Sequence, residues 1–372
     1  MACHTPNGSV DRKVKGERTM DWSKGYSARY YASIVDRKTM RDLGTSRLDI
    51  SQSRNPNRIE IVDGSIKRTY SDLRESADLT CTQYDFTNEQ IIRIWLDARQ
   101  DGEASHIPLF TGLAASPKKS YNGSRAISTV ECYSMLKIAD DILLQRGWYA
   151  PVGLDGPTLA KNLLQCIGVN VEVDPTESTE RELKTTILAE SGDTNLTMVD
   201  AILASISWYL RLDGLGDIYL APIPRGQLAK KRSFGSLEND VLELSFDREY
   251  DWYSAPNVLQ AVLDDLVAVA RDDDPESSFS TISRGREIWY EDTDVYLNDN
   301  ETLAEYAHRR LKELQNISTT VNYTRRYDPD VYPLDIVGIN YPRQNLIGNF
   351  RVYTQTIDLG YGARTSEEVI QI

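Results

Sequence analysis

The chain has 372 residues, of which 40% are hydrophobic and 26% charged, with 22 Gly, 14 Pro and 4 Cys; that length has room for two or three domains with real cores, and the near-average composition excludes a disordered, collagen-like or disulfide-stapled chain. The net charge of −14 is unevenly spread, because residues 1–60 hold 12 Lys and Arg against 7 Asp and Glu, a net of +5, which leaves −19 for the remainder. So acidic a body disfavours nucleic-acid binding, which draws its affinity from Lys and Arg displacing phosphate counterions.

The first residues, MACHTPNGSVDRKVKGERTM, read as a basic polar arm and lack the apolar core of a secretory signal. From Tyr26 to about Tyr133 the pattern is that of strands: YSARYYASIV, RIEIVDGSIKRTY, DLTCTQYDF, IIRIWL, HIPLFTGL and RAISTVECY, divided by polar segments such as SRNPN, DARQDGE and SPKKSYNG. Six short strands with polar turns predict an antiparallel sandwich or barrel. In RIEIV, Ile59 and Ile61 share a face and Glu60 takes the other, as a sheet wet on one side requires.

The period then becomes helical. KIADDILLQRG places Ile138, Ile142 and Leu143 on one face and ends at Gly147. DGPTLAKNLLQCIG has an Asp155 cap, Pro157 in the first turn, a Leu159, Leu163 and Ile167 stripe, and Gly168 as a stop. TERELKTTILAESG predicts a third helix, with Thr179 and Glu182 at capping-box spacing and Gly192 at its end. NLTMVDAILASISWYL predicts a fourth through Met198, Ile202 and Ile206.

WYLRLDGLGDIYLAPIP follows, in which Tyr209, Arg211 and Asp213 alternate with Trp208, Leu210 and Leu212, and Ile218 and Leu220 resume after the glycines. Asp213, Gly214 and Gly216 predict a tight structural turn between two strands, with both glycines free to take positive φ. A phosphate cradle would need a helix next, and an EF-hand loop more oxygen ligands at alternate positions. After a basic loop, RGQLAKKRSFGS, more β pattern comes in DVLELSFDREY, NVLQAVLDDLVAVARDDD and TISRGREIWYED. One long helix, ETLAEYAHRRLKELQN, has Leu303, Ala307, Leu311 and Leu314 on its buried side and Glu305 to Arg309 as a surface pair. Strands resume as STTVNYTRRY, LDIVGINY, FRVYTQTIDLG and EEVIQI.

The sequence is poor in catalytic signatures. Its three histidines, His4, His106 and His308, stand in the arm, a strand and a charged helix face, where ordinary polar roles are expected. Cys3, Cys81, Cys132 and Cys166 are too scattered for a zinc site or a disulfide framework. The best apolar run, VLQAVLDDLVAVA, is short and broken by Asp264 and Asp265, so no membrane span is expected. No catalytic residue, metal or cofactor is assigned. Adjacent acids, Asp140 with Asp141, Asp264 with Asp265, and Asp272 to Asp274, keep a glycosidase-like carboxylate pair open, since such a pair needs no motif. The aromatic pairs Trp148/Tyr149, Trp208/Tyr209, Trp252/Tyr253 and Trp289/Tyr290 fit core plus interface, with a sugar platform as the alternative; in a strand each pair splits between two faces.

Taken in order, DWSKGYSARYYASIVD with RIEIVDGSIKRTYSDLRESADLTC, STVECYSMLKIADDILLQRGWYAP, TMVDAILASISWYLRLDGLGDIYLAPIP, SAPNVLQAV with SSFSTISRGREIWYE, and ETLAEYAHRRLKELQN with its β tail resemble the baseplate hub proteins of phage tails and related contractile injection machines. The resemblance covers residues 22–372 and is greatest to the stand-alone hub of tails infecting Gram-positive bacteria. It implies an α+β chain: an arm over 1–24, a first antiparallel β-barrel tube domain over 25–136, a helical insert over 137–206, and the hairpin with a second tube domain over 207–372, including a helix at 301–316. It implies a homotrimer presenting a pseudo-sixfold ring to the tail tube protein above and a threefold face to the spike or tail-tip protein below, among other baseplate proteins. Genome would pass through the lumen without specific binding, and the particle would assemble in the host bacterial cytoplasm. No fused lysozyme, peptidase or spike resembles any part of the chain, so an enzyme is not expected. The alternative is a carbohydrate-binding or cell-wall polysaccharide-degrading β protein.

Overall fold

A computed structural model describes residues 20–371 except 23, 44–57, 83, 85, 87, 123–124, 176–180, 224–229, 236–240, 244–252, 254, 264–265, 294, 296, 298–300, 316–319, 345 and 361–363. Residues 1–19 of the arm, with Cys3 and His4, and Thr179, Trp252 and the Asp264/Asp265 pair therefore lie outside the described residues.

The first unit consists of β1 (Ser27–Val35), β2 (Arg58–Thr69), β3 (Glu75–Thr82), β4 (Ile91–Gln100), β5 (Glu103–Ala114), β6 (Lys118–Asn122) and β7 (Arg125–Ser134). Six of them close a barrel in the order β1, β4, β5, β7, β3, β2 and back to β1, antiparallel at every step. Closure follows from the alternation, because inward Ile59, Ile66, Leu79, Ile92, Ile94 and Leu96 fill the interior while alternate positions such as Glu60 stay outside. SPKKSYNG, expected as a polar divider, instead contains β6, which pairs with Arg125–Thr129 of β7 along the length that β5, paired at Cys132–Ser134, leaves free.

An insert follows with α1 (Lys137–Asp140), β8 (Tyr149–Ala150), α2 (Gly156–Leu164), β9 (Val171–Val173), β10 (Ile187–Leu188), α3 (Asn195–Ser205), β11 (Trp208–Leu212) and β12 (Ile218–Pro222). Two of its four expected helices differ. α1 stops at Asp140, because the next residues run extended beside 193–195: Leu144 N donates to Asp193 O at 2.9 Å and Asn195 N to Ile142 O at 2.9 Å. Ile142 and Leu143 are consequently exposed. Among the described residues of the third, no α-helix forms; β-branched Thr185, Thr186 and Ile187 favour extended backbone, and the segment makes a ribbon with 149–155 through Leu188↔Tyr149, Ile187↔Ala150 and Asp155↔Glu182.

Both remaining helices are capped by their own sequence. Asp155 accepts from Thr158 N at 3.0 Å at the start of α2, and the 3-10 turn Gln165–Ile167 that follows α2 is ended by Gly168 with φ +81°. Thr194 and Thr197 form a reciprocal box on α3, where Met198, Ile202 and Ile206 are buried as expected. On α2 the most buried positions are Ala160 and Leu164, with Ile167 just beyond it and Leu159 and Leu163 only half-buried beside them. β12 pairs antiparallel with β11 and parallel with β9. The hairpin assigned from sequence to the second β unit thus belongs to the insert's sheet.

The second unit contains β13 (Lys230–Gly235), β14 (Val241–Glu243), β18 (Thr320–Arg326), β19 (Ile336–Tyr341), β20 (Leu346–Asp358) and β21 (Arg364–Gln371), numbered around an intervening insert of β15 (Val258–Leu263), β16 (Leu266–Arg271), α4 (Thr281–Arg284), β17 (Trp289–Asp292) and α5 (Leu303–Gln315). Its six strands run in the order β14, β18, β21, β20, β19, β13 and curl around Phe234, Val321, Val337, Phe350, Val352 and Val369. β13 lies within the stretch read as a basic loop, and it pairs parallel with β19, where an all-antiparallel unit was expected. The sequence had one helix embedded in this unit; the structure has a separate small layer, in which α5 covers one face of the sheet β16–β15–β17 through Tyr306, Ala307 and Leu311. The expected Glu305 to Arg309 pair does not form. Glu305 instead accepts from Thr302 N at 2.8 Å as an N-terminal box, and Arg309 pairs with Glu301 at 2.7 Å and Glu313 at 2.8 Å.

Candidate assembly joint

The two β units are one continuous sheet. The first half of β2 closes the barrel against β1 (Arg58–Glu60), and its second half, Ser65–Thr69, pairs antiparallel with Asp358–Thr354 of β20. β20 does the same in reverse, since its first half holds β19. Each strand changes partner at a bulge: the β2 ladder slips between Ile61 and Asp63, and that of β20 between Val352 and Thr354. An added residue bends a strand and sharpens its twist, which lets one strand serve two units.

Behind this seam runs a buried chain of charged and amide groups. Arg68 on β2 has Nε 2.9 Å from Glu75 Oε1 on β3, donates from Nη2 to Leu109 O at 2.5 Å, and donates from Nη1 to Gln355 Oε1 on β20 at 3.1 Å. Gln355 Nε2 donates onward to Glu367 Oε1 at 2.7 Å. Glu367 is held by Arg325 through Nη2 at 2.5 Å and Nε at 2.8 Å, and accepts from Tyr323 OH at 2.6 Å. Two guanidiniums balance two carboxylates out of water, where a missing partner would cost several kcal/mol. Burial pushes the Glu75 carboxyl up to about 7 despite the opposing pull of Arg68. The same desolvation raises the Tyr323 hydroxyl well above its ordinary range, and the Glu367 charge adds to it.

The insert is keyed into the first barrel by the turn singled out in the sequence. Asp213 Oδ1 accepts from Leu215 N and Asp217 N, both at 2.9 Å, so the aspartate shapes its own reversal. Arg93 on β4 donates to Leu215 O at 3.1 Å, to Thr111 Oγ1 at 2.9 Å and to Asp42 Oδ2 at 3.0 Å, and Thr111 Oγ1 donates to Gly214 O at 2.8 Å. Only Gly216 of the two glycines has positive φ, +85°. Gly214 is required for a different reason: a Cβ there would lie 1.9 Å from Pro108 O. Sequence reasoning saw a turn but had no signal that the turn was docked.

The other candidates separate cleanly. His106 stacks on Trp95 with ring centroids 4.1 Å apart, and its Nδ1 lies 2.6 Å from Asp97 Oδ1. His308 is exposed on α5. Asp140 and Asp141 both pair with Lys137. Asp272 accepts from Ser277 Oγ at 2.6 Å, Asp274 from Glu276 N at 2.9 Å, and Asp273 from Thr281 Oγ1, so these acids fold their own loop. The buried carboxylates Glu75, Asp292, Asp328 and Glu367 each face a guanidinium of the same chain. Trp208 is buried and Tyr209 half-buried, as alternation requires, whereas Trp289 and Tyr290 are both exposed on an edge strand. Cys81 and Cys132 are buried free thiols and Cys166 an exposed one.

No family model matches the chain, and no curated protein matches it. Among solved structures it is similar to the tail protein from Neisseria meningitidis MC58, at 14% identity and a TM-score of 0.65 over 92% of this chain and 97% of that one. It is similar to the 43 kDa tail protein of prophage MuSo2 from Shewanella oneidensis, at 14% identity and a TM-score of 0.64 over 93% and 97%. The prophage tail protein gp18 from Listeria monocytogenes EGD-e follows at 10% identity and a TM-score of 0.52 over 92% and 94%. The chain has the fold of these tail proteins along almost its whole length, an α+β fold with barrel units.

Proposed function

We propose that the chain is a structural hub of a phage tail or contractile injection machine baseplate, adapting the tail tube above to the trimeric spike or tail tip below. The observation that carries this reading is the pair of six-stranded β units fused edge to edge through β2 and β20. Three such chains around an axis place six related units in one ring, so the same object matches a hexameric tube on one side and a threefold partner on the other. The buried Arg68, Gln355, Glu367 and Arg325 chain supports it, because an adaptor must hold its two units at a constant angle.

The tube-forming parts in this reading are the first barrel and the second unit, with both inserts outside the ring. The role is structural and not catalytic. Genome passes through the lumen without adhering, consistent with a net charge of −14, since a wall without net positive charge releases no phosphate counterions. The protein resides in the tail of the particle and assembles in the host bacterial cytoplasm.

Light scattering of the purified chain together with class averages from negative-stain images tests the proposal. A three-chain particle with a central hole and six peripheral densities is expected. A single-chain particle at micromolar concentration, or a ring without the sixfold modulation, would remove the hub reading.

A further inference from the structure

One aromatic ring joins the three parts of the chain that meet behind the seam. Tyr332, in the loop between β18 and β19, has the Arg68 guanidinium of the first barrel 4.6 Å from its centroid and the Arg211 guanidinium of the insert strand β11 5.1 Å from it. Tyr219 on β12 gives Arg211 a second ring at 5.7 Å. Cations are attracted to the faces of such rings, so Arg211 ties the insert to the second unit through Tyr332.

Arg211 also lines a cavity of about 20 Å³, the space of one water, together with Arg68, Arg74, Glu75, Tyr209 and Tyr332. Glu75 is only 5% exposed there. Its Oε1 lies 2.9 Å from Arg68 Nε, whereas its Oε2 is buried and accepts no hydrogen bond among the described residues. The other charged groups around it are committed elsewhere or opposed to it. Arg68 already serves Oε1, Leu109 O and Gln355. Arg74, immediately before β3, is bound to Asp200 on α3 at 2.5 Å and to Asp72 O at 2.8 Å. Asp213, just beyond β11, opposes a negative charge on Glu75, while Arg211 favours one. Asp335, the other carboxylate that feels Arg211, accepts from Tyr332 N at 2.9 Å. Among the described residues, Arg211 is thus the cation of this lining that rests on rings and is bound to no carboxylate.

A neutral buried carboxyl tolerates one oxygen without a partner at modest cost, but an ionised one requires a cation or donors. Arg211 can supply them, because it faces the same cavity and gives up ring contacts rather than an ion pair. We propose that Arg211 changes partner with the charge of Glu75, stacking on Tyr332 while Glu75 is protonated and pairing with Glu75 Oε2 across the cavity once the proton has left to solvent. The insert thereby shifts its hold from the second unit to the first barrel. Burial brings this change into the neutral range by raising the Glu75 carboxyl to about 7. The switch lies within one chain and requires neither a ring nor a second copy.

Amide hydrogen exchange of the full chain at pH 6 and pH 8, corrected for intrinsic rates, provides the test. The reporters are the Tyr332 and Asp335 amides, which donate to Asp335 Oδ2 at 2.9 Å and to Tyr332 O at 3.1 Å; the reference is β4, held between β1 and β5. In the wild type the reporters should lose about tenfold in protection between the two pH values while β4 is unchanged. Glu75→Gln should keep the pH 6 level at both values, and Arg211→Gln the pH 8 level at both, since the stack is then missing throughout. Equal wild-type protection at the two pH values would overturn the switch whatever the variants do, and so would an equal fall in Glu75→Gln.

Discussion

Arg68 and Gln355, 287 positions apart in the chain, meet across the seam between the two β units, with the guanidinium Nη1 3.1 Å from the amide oxygen and both side chains fully buried. The amide hands the polar chain from Arg68 to Glu367 and Arg325, so the first barrel and the second unit share one set of buried charges.

Breaking this chain at one cation should be severe. Arg325→Met leaves Glu367 charged and buried, and such a loss costs about 3–5 kcal/mol. Removing both charges with Arg325→Met and Glu367→Leu should recover most of that, since the apolar pair needs no partner. Urea titrations of the three proteins decide it; a single variant within about 1 kcal/mol of wild type would mean the pair is not desolvated.

Glu75 sets a pH dependence of known sign. Its folded-state carboxyl is raised from 4.5 to about 7 by burial, so the folded chain holds the proton more tightly than the unfolded one. Its contribution is therefore complete below the unfolded value and is lost as pH rises through the folded value. The melting temperature of wild type minus that of Glu75→Gln should fall between pH 5 and pH 8. A flat difference would show that Glu75 is ionised throughout.

Docking of the insert turn depends on a missing side chain. Gly214→Ala places Cβ 1.9 Å from Pro108 O, backbone that cannot yield as a side-chain tip would. Overpacking of this kind costs about 1–3 kcal/mol or more. Calorimetry should show a clear fall in melting temperature, and a neutral result would mean the turn is not seated on β5.

Helix α5 has a cap that can be removed without touching the core. Thr302 Oγ1 accepts from Glu305 N at 3.3 Å while Glu305 accepts from Thr302 N at 2.8 Å. Thr302→Ala should cost about 1 kcal/mol, read by chemical denaturation. Because Leu311 and Ala307 remain packed on the sheet, the helix itself should persist in circular dichroism.

Much of this architecture is already present in the residue pattern. Alternation in YSARYYASIV and IIRIWL locates strands and their inward faces, and Asp155 and Gly168 mark where a helical segment starts and stops, because side-chain period and capping chemistry act over a few residues. Such local rules report which face is buried and say nothing of which strand lies next to it. That β20 joins β2, that β13 runs parallel to β19, and that the turn at Asp213 seats on Thr111 and Arg93 were decided only by the tertiary structure. TTILAE shows the same limit from the other side. Its pattern suits a helix, yet backbone pairing with Tyr149 and Ala150 draws it into a ribbon, since hydrogen bonds to a distant segment outweigh the small differences in local propensity.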